Sequence, residues 1–146
     1  MDDRDELLAL DNQVCFAIVT AARNVVSIYR PILEPLGLTH PQYLVMLALW
    51  ESEPRTLGEL ADALALEPAT VSPLVKRLEK QGLLQRARAS EDERALAIRA
   101  TPEGRALRER ALDVPGQVMA AVGADAERLG LLRDALAPFA GGRRGR

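Results

Sequence analysis

The side chains able to do nucleophilic or acid–base chemistry are few: one cysteine, Cys15, one histidine, His40, and two tyrosines, Tyr29 and Tyr43. A lone cysteine excludes an internal disulfide and a cysteine-rich zinc centre. A lone histidine removes most other metal and catalytic constellations, so no metal and no cofactor is expected. A thiol peroxidase would need a resolving partner and positioned acid–base groups beside the sulfur. The sequence offers neither, and an enzyme is not expected. Read alone, Cys15 is a small packing residue on the apolar stripe of a helix. Were it oxidised to a sulfenic acid, it could not close a disulfide within its own chain and would have to meet a small thiol, close to a sulfenamide, or proceed to irreversible acids.

The charge pattern supplies a partner. The net charge of −2 conceals an asymmetry: residues 1–75 carry 4 basic and 11 acidic side chains, whereas residues 76–105 carry 8 basic and 5 acidic ones. The basic stretch beginning at Lys76 is where a polyanion would sit. Hydrophobic residues at 48% and charged residues at 27% are those of an ordinary globular domain. No run reaches about 18 apolar residues, and the start Met1-Asp2-Asp3-Arg4-Asp5-Glu6 is acidic where a secretory leader is basic. A cytoplasmic protein without membrane contact is expected.

The elements that would position these residues follow from periodicity and punctuation. Apolar positions from Leu7 to Leu33 predict one long helix carrying Cys15 and Tyr29, ended by Pro31, Pro35 and Gly37. Its stripe is too wide for one small core and suggests a second subunit. Pro41 suits the first turn of a helix through Tyr43–Trp50. Thr56-Leu57-Gly58-Glu59 has the capping-box pattern, with Thr56 as cap and Glu59 reaching back, for a short helix to Leu64. The next helix carries Val71, Leu74, Val75 and Leu78 and stops at Gly82. Its start is open: with Thr70 as cap, Pro73 falls in the first turn, and with Pro68 first, one hydrogen bond is lost and the helix kinks slightly. Leu83–Arg88 and Ala95–Arg99 read as a hairpin with a charged tip. Thr101-Pro102 starts a helix to about Asp113, Pro115-Gly116 interrupts it, and a last helix covers about 118–138.

Two short helices joined by a tight turn and followed by a charged hairpin make a winged helix-turn-helix. The expected fold is mainly α, a single domain over 1–146. The winged unit spans about 40–100, dimerisation helices about 7–36 and 101–139, and a flexible tail 140–146. The second helix of such a unit enters the major groove. Pro68, Thr70 and Ser72 lie at its start, with Lys76 and Arg77 one turn on, set for phosphates. The wing offers Arg86, Arg88 and Arg94, and an arginine at a hairpin tip fits a minor groove. Asp92 can hold the Arg94 guanidinium by paired hydrogen bonds. The double-stranded operator would be pseudo-palindromic, because two copies related by a twofold axis read major grooves about 34 Å apart.

Residues 56–104 resemble the MarR family core. The likeness runs through Thr56-Leu57-Gly58-Glu59-Leu60, Leu74-Val75-Lys76-Arg77-Leu78-Glu79, Asp92-Glu93-Arg94 and Leu96 to Gly104. Three further segments resemble the organic-hydroperoxide regulators of that family: Asn12 to Phe16, Tyr29-Arg30-Pro31, and Pro35 through Leu44. The resemblance implies an obligate homodimer joined by its terminal helices. It also implies a repressor released from DNA when Cys15 is oxidised by an organic hydroperoxide, with Tyr29 bonding to the sulfur. The second sulfur-binding tyrosine of that subgroup falls at His40, which either supplies an imidazole donor or is merely a helix-start residue before Pro41. Cys15 and Tyr29 lie about 21 Å apart along one helix and cannot touch within a chain. If two copies cross antiparallel near Ala22, Cys15 comes level with Tyr29 of the partner subunit. The expected switch is a mixed disulfide with a small thiol, whose bulk shifts the two reading heads. The competing expectations are a MarR-type repressor released by a small aromatic ligand, with Cys15 structural, and a DNA-packaging module without a sensor.

Overall fold

The computed structural model describes residues 3–88 and 96–141. Its helices are α1 (Asp3–Leu7), α2 (Val14–Leu33), α3 (His40–Glu51), α4 (Leu57–Leu64), α5 (Pro68–Lys80), α6 (Pro102–Ala111), α7 (Val114–Val122) and α8 (Ala126–Leu136). Strands β1 (Leu84–Arg88) and β2 (Leu96–Ala100) pair antiparallel between α5 and α6, from Leu84 opposite Ala100 to Arg88 opposite Leu96. This is the expected mainly α winged helix-turn-helix, with terminal helices flanking it.

Local chemistry explains the boundaries. Thr39 caps α3 in a full capping box with Gln42, and Thr56 caps α4 by accepting the Glu59 N–H at 3.1 Å. The expected return bond from Glu59 is not formed. Thr101 caps α6, and its hydroxyl also donates to the Gly82 carbonyl at 2.6 Å, tying the start of α6 to the end of α5. The α4–α5 turn places Ala65 in the left-handed region at φ 55°. The core sits almost wholly in the winged unit: Met46, Leu49, Leu60, Val75, Leu78 and Ile98 are fully buried. Arg55 adds a rung to the hairpin, its N–H donating to Ile98 and its carbonyl accepting back, at 3.1 and 2.8 Å.

Three expectations on the helices need correction, and the open start of α5 is resolved. The single helix from Leu7 is broken: α1 ends at Leu7, a 3-10 turn covers Leu10–Asn12, and α2 begins only at Val14. The cause is local, because the Asn12 amide donates to the Glu6 carbonyl at 2.7 Å and the Gln13 amide to Leu7 and Ala9. These side chains satisfy the carbonyls that end α1. Pro31 does not end α2, which runs on to Leu33; Gly37, left-handed at φ 71°, makes the turn. Helix α5 starts at Pro68, so Pro73 is interior to it. Pro115 opens α7 rather than interrupting a helix, and left-handed Gly123 with the Asp125 cap divides the last helix into α7 and α8. The tail from residue 142 lies outside the described residues.

Candidate functional site

Helix α5 buries Val71, Val75 and Leu78 and turns the opposite side outward. Of the residues expected to meet DNA, Pro68, Thr70, Lys76 and Arg77 are exposed on it, and Ser72 is half-buried at its flank. At 3.6 residues per turn, the middle of the outward face is Ala69, Pro73, Lys76 and Lys80. Ala69, Pro73 and Lys80 escaped the sequence reading, although the spacing from Lys76 would have found them. Pro73 has no N–H to donate and presents only an apolar ring, which suits a thymine methyl group. In the wing, Arg88 is exposed. Arg86 is exposed as well, and its Nε meets the Glu79 carboxylate at 2.7 Å, tying β1 to α5. Asp92 and Arg94 lie outside the described residues.

The wing base is anchored by charge as well. Glu53 accepts the Ala100 N–H at 2.9 Å and pairs with Arg105 at 2.8 Å. Burial alone would raise this carboxyl, but the Ala100 bond, Arg105 and nearby Arg99 outweigh it and hold it below the ordinary 4.5.

The sulfur site is assembled differently from the sequence expectation. The break before Val14 puts Cys15 in the first turn of α2, where backbone N–H groups have no partner within the helix. Cys15 is exposed, not packed. Around it Val14, Phe16 and Val19 are 63%, 40% and 45% exposed, an apolar face that no other described element covers. At the far end of α2, Tyr29 meets His40, the first residue of α3, with ring centroids 4.6 Å apart, and Tyr43 at 5.9 Å. The structure therefore joins Tyr29 to His40 and leaves Cys15 about 21 Å away along α2. Burial raises the Tyr29 hydroxyl, and burial with the nearby Tyr29 raises that of Tyr43, so both remain donors at neutral pH. Burial lowers His40 below 6.5, so its imidazole is predominantly neutral at pH 7.

These shifts predict acid sensitivity in two stages. Both groups bind protons less readily folded than unfolded, so each stabilises the fold above its unfolded value and loses that contribution as pH falls through the folded one. His40 acts below 6.5 and Glu53 below 4.5. Thermal melts across pH 7 to 3 should show both declines, with His40→Gln removing the upper and Glu53→Gln flattening the lower. A stability profile indifferent to His40→Gln would contradict the assignment.

Comparison with known proteins places this geometry. The MarR family pattern matches residues 38–96. The organic hydroperoxide resistance transcriptional regulator of Bacillus subtilis (strain 168) is 38% identical over 136 residues, covering 93% of this chain and 92% of the relative. Among solved structures, reduced AbfR, a protein of Staphylococcus epidermidis, bound to DNA matches with a TM-score of 0.67 and 36% identity. That match covers 76% of this chain and 78% of that one. CouR of Rhodococcus jostii RHA1 bound to p-coumaroyl-CoA matches with a TM-score of 0.74 and 29% identity over 92% and 96% of the two chains. The fold and the outward basic helix define a DNA-binding transcriptional regulator, not an enzyme. The chain belongs to the MarR family.

Proposed function

We propose that this protein is a homodimeric repressor that leaves its pseudo-palindromic operator when an organic hydroperoxide oxidises Cys15. One observation carries the reading: an exposed thiol in the first turn of α2, ringed by apolar side chains with no intrachain cover. An antiparallel second copy would cover that face and bring the Cys15 of each chain toward the Tyr29–His40 pair of the other. The similarity to the Bacillus subtilis hydroperoxide regulator supports the same chemistry. The oxidised sulfur would then take a small thiol as a mixed disulfide. A cytoplasmic setting, where such thiols abound, belongs to this reading. Gel-shift titration of the promoter beside its own gene, with and without cumene hydroperoxide, tests it; retention of the complex after oxidation would refute it.

The DNA contacts proposed are Pro68, Thr70, Ser72, Lys76, Arg77, Arg88 and the wing pair Asp92 and Arg94, to which the outward face adds Lys80. Arg86 acts through its bond to Glu79. Lys80→Ala should weaken binding to all duplexes alike and lower the slope of log K against log salt by about one. Fluorescence anisotropy at several salt concentrations measures this, and a loss confined to one sequence would place Lys80 on a base instead.

A second reading has its own observation. A cleft of about 270 Å³ between α3 and the α6–α7 region is lined by Tyr43, Leu47, Trp50 and Leu112, with both Glu51 and Arg108 in its wall. It would suit a small aromatic ligand, and CouR, solved with the aromatic acyl thioester p-coumaroyl-CoA, shows a neighbour of this fold that takes an aromatic group. Thiol titration of the pure protein separates the readings, since a sensor sulfur reacts promptly with hydroperoxide and a packing sulfur does not.

A further inference from the structure

Gln42 is the one buried polar side chain among the described residues, in a core otherwise apolar. Its Oε1 accepts the Thr39 N–H at 3.0 Å, which fixes the orientation of the amide. Its Nε2 is thereby aimed away from α3, and it donates to the Oε1 of Gln81 at 3.3 Å. Gln81 caps the C-terminus of α5, and its own Nε2 donates to the Gly37 carbonyl at 2.9 Å. Each amide thus has one end fixed by a backbone group of the α2–α3 connection, and the two meet in the middle.

The elements at the two ends give this closed circuit its significance. Gly37 and Thr39 belong to the turn between α2 and α3, and the next residue, His40, packs its ring at a tilt against Tyr29. Gln81 belongs to the helix whose outward face carries Lys76, Arg77 and Lys80. A capping box needs only Thr39 and Gln42, so the onward bond to Gln81 is not required to start α3. Gln81 is exposed, so the bond is not required to fill the core either.

We infer that Gln42 and Gln81 form an amide relay that fixes the pose of α5 on the α2–α3 joint, with Gln81 a positioning residue for sequence-specific DNA binding. The inference rests on the reading of α5 as the DNA-facing helix, but not on Cys15 chemistry. Sequence-independent attraction to phosphates depends on charge and tolerates a loosened helix, whereas base contacts require a fixed one. Loss of the relay therefore separates the two.

The test uses the full-length protein and a duplex that the wild type selects from a random pool, beside a scrambled duplex of equal length. Gln81→Ala is expected to melt within a few degrees of wild type and to keep its affinity for scrambled DNA. Its affinity for the selected duplex should fall about tenfold. Gln42→Met, which conserves volume while breaking the other end, should do the same. The double variant should lose no more than the larger single loss, because both break one circuit. Equal loss on both duplexes, unchanged affinity for the selected duplex, or additive single effects would each overturn the relay. Should Gln42→Met fail to fold, Gln81→Ala alone decides by its ratio of the two affinities. Thr70→Ala is the arm that tests the underlying reading: if it leaves the selected duplex bound as tightly as before, α5 is not the reading helix and the fault lies there.

Discussion

Cys15→Ser should bind operator DNA within about twofold of wild type and should stay bound when hydroperoxide is added. Retained binding follows from position. Cys15 is exposed, at the opposite end of α2 from the winged unit, and supports no buried packing within the chain. Serine is close to cysteine in size, so it fits the same place on the face that the proposed second copy covers. Lost release follows from the chemistry. In the proposed reaction the Cys15 thiolate would attack the terminal peroxide oxygen, an S–O bond forming as the O–O bond breaks, and the alkoxide would leave and take a proton from water as the alcohol. The sulfur is oxidised by two electrons and the peroxide is reduced by two. The sulfenic acid then condenses with a small thiol, losing water and forming the mixed disulfide. A serine hydroxyl has no counterpart to the first step. In wild type, coupling free energies of the usual size correspond to a loss of affinity of about 5- to 150-fold on oxidation. That loss should vanish in the variant. Normal release of Cys15→Ser would transfer the switch to the α3–α6 cleft and its aromatic ligand.

Release also needs the change at Cys15 to reach α5, and the arrangement of α2 indicates how. Its first turn carries the sulfur on an uncovered apolar face, and its last turns pack Tyr29 on His40 at the start of α3. A bulky group added at the first turn of one chain would press on the far end of α2 in the other if the two cross antiparallel. The Tyr29–His40 contact, the Gly37 turn and the Gln42–Gln81 relay are contiguous with that end. If this circuit opens when the interface shifts, the change at Cys15 would reach α5, and a double-mutant cycle between Cys15 and Gln81 measures that coupling.

Much of this was legible in the sequence wherever the determinant was local. Thr56 and Thr101 announced their helices because a hydroxyl cap needs only the next three residues. The winged unit followed from order and spacing, and the buried stripe of α5 from its period. Side chains with a choice of partners misled. Asn12 and Gln13 could have faced solvent in a continuous helix; instead they close α1, and this puts Cys15 at a helix start where periodicity had put it mid-helix. Pro31 and Pro115 were read as breakers, yet tertiary packing carries α2 through the first, and the second sits in the first turn of α7. The Gln42–Gln81 bond spans 39 residues and leaves no local trace. The Arg86–Glu79 ion pair likewise joins two elements, and nothing local in the sequence marks it.

The second large effect is expected at Gly104, and its sign is opposite to what helix propensity predicts. Gly104 lies buried in the first turns of α6, and alanine in place of an exposed helical glycine ordinarily gains about 1 kcal/mol. Here an added Cβ would fall onto the Leu83 carbonyl oxygen, well inside nonbonded contact, and within 3.3 Å of the Ala100 side chain. The Leu83 carbonyl cannot yield, because it accepts the Thr101 N–H at 3.0 Å and so joins β1 to the start of α6. Gly104 cannot retreat freely either, since its carbonyl holds the Trp50 indole N–H at 2.9 Å. Helix α6 must therefore move off the hairpin as a body, at an overpacking cost of about 3 kcal/mol. For a chain of this size that lowers the melting temperature by roughly 10 °C. Gly116→Ala is the matched control: it is also helical, with nothing near its added Cβ, and should hold or raise the melting temperature. Because the displaced helix takes the base of the wing with it, Gly104→Ala should also weaken operator binding at temperatures where it remains folded. Melting of both variants by circular dichroism settles the matter: equal stability of the two would mean that α6 does not press on Leu83, and that the wing is positioned by Glu53 and Arg105 alone.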